Sequence, residues 1–237
     1  MSPKRVSFRG RLWDAFQTFI GDNTPKRRTI ARYIQRPGRI LEIGCATGNV
    51  ACVFRDFDYV GVDTDPELIA LACRKFTEPN YRFYCLDVLA AELPEEADFD
   101  YVLISHTAHH LPDDYLKRLL HKSCQLLRPG GQLVILDMVR PEPDEPINKQ
   151  LFYRLDRGEH FRNVAEFEAL FAAEPAFVDP QVHIVKIRKL GIEVIDDVVI
   201  HATRDEQEKG TSSDVLGGHP KPAIDGQLKP GHRRDPR

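Results

Sequence analysis

A chain of 237 residues, 42% hydrophobic and 29% charged, has room for one domain with appendages and the composition of an ordinary globular protein. Its net charge of −3 makes nucleic acid or a membrane surface an unlikely partner for the whole chain, and no apolar run approaches the ~20 residues of a membrane span. Met1-Ser-Pro-Lys-Arg leads into no signal-peptide core, because Arg9, Arg11 and Asp14 interrupt it, so the expected compartment is cytoplasmic.

Residues 1–10 read as disordered. Leu12, Trp13, Phe16, Phe19 and Ile20 then recur at helical spacing. Thr24 is placed to cap a second helix, with Pro25 at its first position and an end near Ile34. Residues 1–39 hold ten basic against two acidic side chains. That is either a solvated helix face or a docking surface for an acidic partner or anionic substrate.

Pro37-Gly38 turns the chain into a first strand, Ile40 to Ile43. The turn Gly44-Cys-Ala46-Thr-Gly48 follows, and a short helix from Val50 to Phe54. Strand two is Tyr59 to Val62, ending at Asp63. Asp65-Pro66-Glu67 starts a helix strongly: a cap, a proline at the first position and an acid against the helix dipole. Strand three runs from Tyr81 to Leu86 and ends at Asp87. Strand four is Asp100 to Ile104, followed by Ser105-His-Thr-Ala-His-His110. Pro112-Asp113-Asp114 opens a helix that aligns Leu116, Leu119, Leu120 and Leu127, and Pro129-Gly130-Gly131 stops it. Strand five is Gln132 to Leu136, ending at Asp137. Short apolar strands alternating with helices predict a parallel α/β sheet.

Beyond Asp137 the pattern changes. A polar stretch with Pro141, Pro143 and Pro146 leads to a segment from Ile147 to about His160, then a helix from Asn163 to Ala173. Val182–Arg188 and Val198–Ala202 are too close for a helical crossover, so they read as an antiparallel pair closing the sheet. Residues 205–237 are rich in Gly, Pro, Lys and Asp and read as a disordered tail. The expected divisions are a helical cap over 1–36, a catalytic domain over 37–204 with a substrate-side insertion at 137–163, and the tail. Five cysteines form no CxxC pair, so reduced buried thiols are expected rather than a disulfide framework or zinc site.

A nicotinamide fingerprint wants G-x-G-x-x-G. Here Gly44 and Gly48 flank Ala46, behind Glu42. Glu42-Ile-Gly44-Cys-Ala46-Thr-Gly48 resembles instead the first motif of the class I S-adenosylmethionine-dependent methyltransferases. Phe99-Asp100-Tyr-Val-Leu-Ile and Leu126-Leu-Arg-Pro-Gly-Gly-Gln-Leu-Val-Ile resemble that family's fourth-strand motif and the motif before its fifth strand. The likeness runs from about Ile34 to Leu136. It implies a Rossmann-like, seven-stranded, mostly parallel sheet with an antiparallel closing strand and helices on both faces, and S-adenosyl-L-methionine as cofactor. It also implies that Glu42 orders the turn and reaches the cofactor's amino-acid end, while Gly44 and Gly48 let the backbone pass beside it. Asp63 would take the ribose hydroxyls, and Asp87 and Val88 would meet the adenine. Cys45, Thr64 and Ser105 complete the expected cofactor contacts. Ala46, where the family has glycine, adds a methyl group at the cofactor's edge.

In such sheets ligands sit at the carboxyl ends of strands. His106 is the first candidate base and His109 the second, because imidazole titrates near neutral pH. The alternative is that these histidines pack beneath the cofactor or start the next helix. No metal site is expected of them. Asp137, Tyr153, Arg154, Arg157, His160 and Arg162 are the expected substrate side, able to hold a carboxylate or phosphate. Their alternative is a surface helix laced with Asp/Arg pairs. The favoured function is methyl transfer to a small molecule on oxygen, nitrogen or carbon. A cofactor-binding regulatory or assembly protein, another reaction of the same cofactor, and a tRNA or protein acceptor stay open.

Overall fold

A computed structural model describes residues 23–156, 158–189 and 192–206. The expected helix over Leu12 to Ile20, Arg157, Gly191 and most of the tail lie outside those residues.

Seven strands form one sheet: β1 Arg39–Ile43, β2 Asp58–Asp63, β3 Tyr81–Cys85, β4 Phe99–Ser105, β5 Leu127–Met138, β6 Phe177–Lys189 and β7 Ile192–Arg204. Their order is β3-β2-β1-β4-β5-β7-β6. β1 pairs in parallel with β2 and β4, β2 with β3, and β4 with β5, whereas β7 runs antiparallel to both β5 and β6. The order reverses between β1 and β4, which opens a crevice at their carboxyl ends.

The inner strands are apolar on both faces, as strands covered on both sides must be. On one face Leu41, Val60, Val102 and Ile104 pack with Leu116, Leu119 and Leu120 of α3 (Asp113–Leu126) and Phe167, Leu170 and Phe171 of α5 (Val164–Ala172). The alternate positions Ile40, Tyr59, Tyr101 and Leu103 pack on the other face with Ile30 of α1 (Thr24–Tyr33), Ile34 and Phe54. That is the two-residue period of a pleated strand. Helix α2 (Pro66–Lys75) begins as expected, with Asp65 Oδ1 accepting from the N–H groups of Glu67 (2.8 Å) and Leu68 (3.2 Å). Helix α4 is Ile147–Leu155.

Several boundaries differ from expectation. Thr24 lies inside α1, and Asn23 holds the cap position without a side-chain bond. After the glycine turn there is a single 3₁₀ turn, Ala51–Val53. Pro129-Gly130-Gly131 does not precede β5 but lies within it, at a register shift against β4, with Gly130 at φ +70°. Bulges tolerate proline and glycine where regular ladders do not. The β6–β7 pair is much longer than its apolar runs. It absorbs a slip between Val178 and Gln181, where Asp179 takes φ +51°.

Candidate active site

The first turn brings backbone, not side chains, to the crevice. Gly44 and Cys45 donate their N–H groups to the Val62 carbonyl at 2.8 and 3.0 Å. Gly44 (φ +78°) and Gly48 (φ +71°) occupy the left-handed region that favours glycine. A Cβ on Gly44 would run into the Thr107 side chain, and one on Gly48 would lie 2.6 Å from the Phe76 ring. Ala46 takes φ +48° despite its side chain, and its N–H donates to Asp63 Oδ2 at 2.9 Å.

That turn forms one wall of a cleft of about 350 Å³, within the size range of small-molecule sites. Gly44, Ala46, Asp63, Thr64, Asp87 and Val88 line it, with Leu68, Leu86, Leu111 and Leu119 as apolar surface. Asp63 Oδ1 also accepts from the Asp65 N–H at 2.9 Å, so each of its oxygens keeps a lone pair for a ligand hydroxyl. Asp87 Oδ1 accepts from the Leu89 N–H (2.8 Å) and from the Tyr115 hydroxyl (2.5 Å). Burial and this carboxylate push the Tyr115 hydroxyl's pKa upward. Two carboxylates at adjacent strand ends, an apolar surface for a flat ring and a side-chain-free turn are a set of groups that fits a nucleoside with a charged tail.

Glu42, Cys45, Gly48 and Ser105 sit buried behind this wall. Burial raises the Glu42 carboxyl to a pKa of about 7, against the opposing pull of the Tyr59 hydroxyl, which donates to it, and of Lys26. Burial likewise pushes the Cys45 thiol up. The Ser105 carbonyl accepts from Lys26 Nζ at 3.4 Å, while Ser105 Oγ finds no partner among the described residues.

His106 and His109 part company. His106 lines the cleft, takes φ +52° and keeps 27% of its side chain exposed. Its Nε2 lies 3.1 Å from Oδ2 of Asp197, which is 1% exposed. His109 is buried away from the cleft. Its Nδ1 is 2.5 Å from Asp137 Oδ1, its Nε2 is 3.3 Å from Asp156 Oδ1, and its ring stacks on Phe161. Burial lowers its pKa, but the two carboxylates win and raise it to about 9. With its ring buried away from the cleft and both nitrogens facing carboxylates, His109 is not placed where the second candidate base would act. Asp137 is corrected with it: its fully buried carboxylate bonds His109 and the Met138 N–H, and does not face a substrate. His109, His110 and Asp156 offer ligand atoms within 4.8 Å of one another, a grouping that could hold a metal ion, and both His109 nitrogens face carboxylates.

The expected substrate-side residues do not gather. Tyr153 is 9% exposed, and its hydroxyl donates to the Asp196 carbonyl at 3.4 Å. Arg154 points to solvent. His160 holds His109 through its backbone N–H, at 2.9 Å from that carbonyl. Arg162 is buried and clamps the loop after β4. It donates to Asp113 Oδ1 (2.8 Å) and to the carbonyls of Ala108 (2.8 Å) and Leu111 (2.6 Å). A guanidinium bound on those sides has no fork left for an anion. The residues sequence reading missed are Lys26, Tyr115 and Asp197. Only the last leaves a trace, since Asp196-Asp197 puts two acids inside an otherwise apolar strand.

Residues 40–131 match a family model described as a methyltransferase domain. Over 190 residues the chain is 26% identical to a phosphatidylethanolamine N-methyltransferase of Cereibacter sphaeroides, covering 76% of this chain and 89% of that protein. It is 30% identical over 137 residues to a demethylmenaquinone methyltransferase of Thermus thermophilus, covering 55% of this chain and 61% of that one. Among solved structures, the N-methyltransferase NodS of Bradyrhizobium japonicum, in complex with S-adenosyl-L-homocysteine, superposes with a TM-score of 0.58 at 16% identity, covering 78% of this chain and 90% of that one. No helix among the described residues is long and apolar enough to cross a membrane.

Proposed function

We propose, from the match of residues 40–131 to a methyltransferase-domain model and the cleft beside them, that the chain is a class I S-adenosylmethionine-dependent methyltransferase acting on a small molecule at oxygen, nitrogen or carbon. S-adenosylmethionine, when bound, supplies an activated methyl group on a sulfonium, so the protein's task is to position the acceptor and exclude water. The observation that carries the reading is the pairing of Asp63 and Asp87 in one cleft beside the left-handed turn at Gly44.

In this reading Asp63 takes the ribose hydroxyls, and Asp87 takes the adenine amino group. Leu86 and Val88 cover the ring. The backbone of Gly44 to Ala46 runs along the amino-acid end, with Glu42 holding the turn from behind. His106 is the base for an acceptor that must lose a proton. Residues 137–163 border the acceptor side, and most of the expected cap over 1–36 lies outside the described residues. A small-molecule acceptor is supported by two relatives, a phosphatidylethanolamine N-methyltransferase and a demethylmenaquinone methyltransferase.

Calorimetry with S-adenosylmethionine and S-adenosylhomocysteine tests the cofactor assignment. Binding of both is expected, and silence in both titrations removes it. Asp63→Ala is expected to weaken binding by ~1–3 kcal/mol, the range for a charged hydrogen bond left unmade. Wild-type affinity in that variant would remove Asp63 from the ribose site.

A further inference from the structure

We infer that His106, Asp197 and Ser105 form an acceptor subsite for a hydroxyl-bearing small molecule, in which His106 receives the acceptor's proton and Asp197 is a positioning residue that fixes the imidazole. This rests on the methyl-transfer reading above and narrows it to oxygen as the methylated atom.

The subsite spans three neighbouring strands. Ser105 pairs with Leu136, and Asp197 of β7 pairs with Met138, just past it on β5. Two anchors hold His106: its N–H donates to the Leu136 carbonyl at 2.7 Å, and its ring reaches Asp197. Together they keep a non-glycine residue in the left-handed region. Such conformations persist where the surroundings over-determine them, often at functional sites.

The contact also selects a tautomer. An ionised carboxylate only accepts, so Nε2 carries the ring proton and Nδ1 keeps its lone pair. Nδ1 has no hydrogen-bond partner among the described residues, and His106 lines the cleft. Behind it, Asp197 Oδ1 and Ser105 Oγ are buried without partners among the described residues. Buried polar groups are seldom left so, and these two atoms, on residues that each adjoin the cleft-lining His106, point to a polar ligand group. Lys26 flanks Ser105 from α1, and among the described residues Arg27, Glu42, Asp156, Asp196 and the His109–Asp137 pair lie near it.

Amines react from their free base, and thiols ionise near neutral pH. A hydroxyl is the acceptor for which a placed base matters most. Its O–H bond breaks with the proton passing to His106 Nδ1. The oxygen's electron pair forms the bond to the methyl carbon, while the carbon–sulfur bond breaks with its pair going to sulfur, leaving a neutral thioether. The imidazolium then returns its proton to water.

The test has two arms. ¹⁵N-histidine NMR on the full chain reads the tautomer: an Nε2–H imidazole is expected for His106, relaxing to a mixture in Asp197→Asn. An Nδ1–H form in the wild type, or an unchanged spectrum in the variant, overturns the proposal. The second arm supplies labelled S-adenosylmethionine with a panel of phenols and a matched panel of primary amines. Methylation of phenols is expected, with kcat reduced roughly 10²–10⁴-fold in His106→Asn, a substitution that tolerates the left-handed backbone. Asp197→Asn is expected to lower kcat while KM and S-adenosylhomocysteine affinity hold. Turnover of amines alone, or full kcat in either variant, overturns the proposal. If neither panel turns over, the NMR arm decides. Failure of the wild type to bind S-adenosylhomocysteine instead removes the methyl-transfer reading itself.

Discussion

Asp63 and Asp87 could be read from the sequence because each closes an apolar run, and a strand that ends in an acid at a crossover leaves its carboxylate at the sheet's rim. Asp197 could not. It lies within a strand, where an acid among alternating apolar residues looks like a solvent-facing position, and only pairing with β5 places it under His106. Tyr115 was hidden for a similar reason, since its contact to Asp87 crosses from helix to loop. His109 was misread because adjacent histidines offer no sequence sign of which faces the cleft. Its removal tests the assignment made here. His109→Gln leaves Asp137 fully buried without a cationic partner, and breaking such a pair costs about 3–5 kcal/mol. Urea unfolding should show that loss, and a loss well under ~1 kcal/mol would mean the ion pair is not formed.

Helix and strand identities followed from periodicity, while their limits depended on contacts no local pattern carries. The Pro129-Gly130-Gly131 run reads as a stop, yet the ladder to β4 continues across it through a bulge, pinned where Arg128 meets Asp100 at 2.6 Å. Asp65 was legible as a cap, with partners two and three residues on, whereas the equally local box at Asn163 was not read from the sequence. Asn163 Oδ1 accepts from the Glu166 N–H at 2.9 Å, and Glu166 Oε2 accepts from the Asn163 N–H at 2.8 Å. Asn163→Ala is therefore expected to destabilise by about 1 kcal/mol, read as a shift in urea midpoint without change in slope. The Arg162 clamp belongs to this scale too. It joins the chain before α5 to the loop before α3, so its three partners become neighbours only once both helices dock on the same face.

For the whole molecule, the strand order was implicit in the alternation of strands and helices, and the reversal between β1 and β4 puts the cleft where such sheets hold ligands. Stability against pH is a property of this same scale. His109 has a folded-state pKa of about 9, above the ordinary value near 6.5. Its contribution is complete below ~6.5 and is lost as pH rises through about 9. Glu42, raised to about 7, acts in the same direction, since its neutral form is favoured by the fold and that advantage fades as pH rises from the ordinary carboxyl range to about 7. Asp137 and Asp156 are held below the ordinary range, so their share is lost only in stronger acid. His110 and His201, whose pKa values burial lowers, act the other way toward neutral pH, so melting temperature should fall clearly between about pH 7 and 9; one that climbs through pH 8 would refute it. The chain leaves the sheet after Met138 and rejoins it at Phe177, and β7, whose Asp197 pairs with Met138, closes the gap. Everything between is a detour whose two ends are fixed by the same sheet, while the carboxylates assigned to the nucleoside sit on strands already complete before the detour begins. Such a layout leaves the detour free to vary in sequence at little cost to the carboxylates assigned to the nucleoside, except at Arg162 and Asp156, which tie it to the loop after β4.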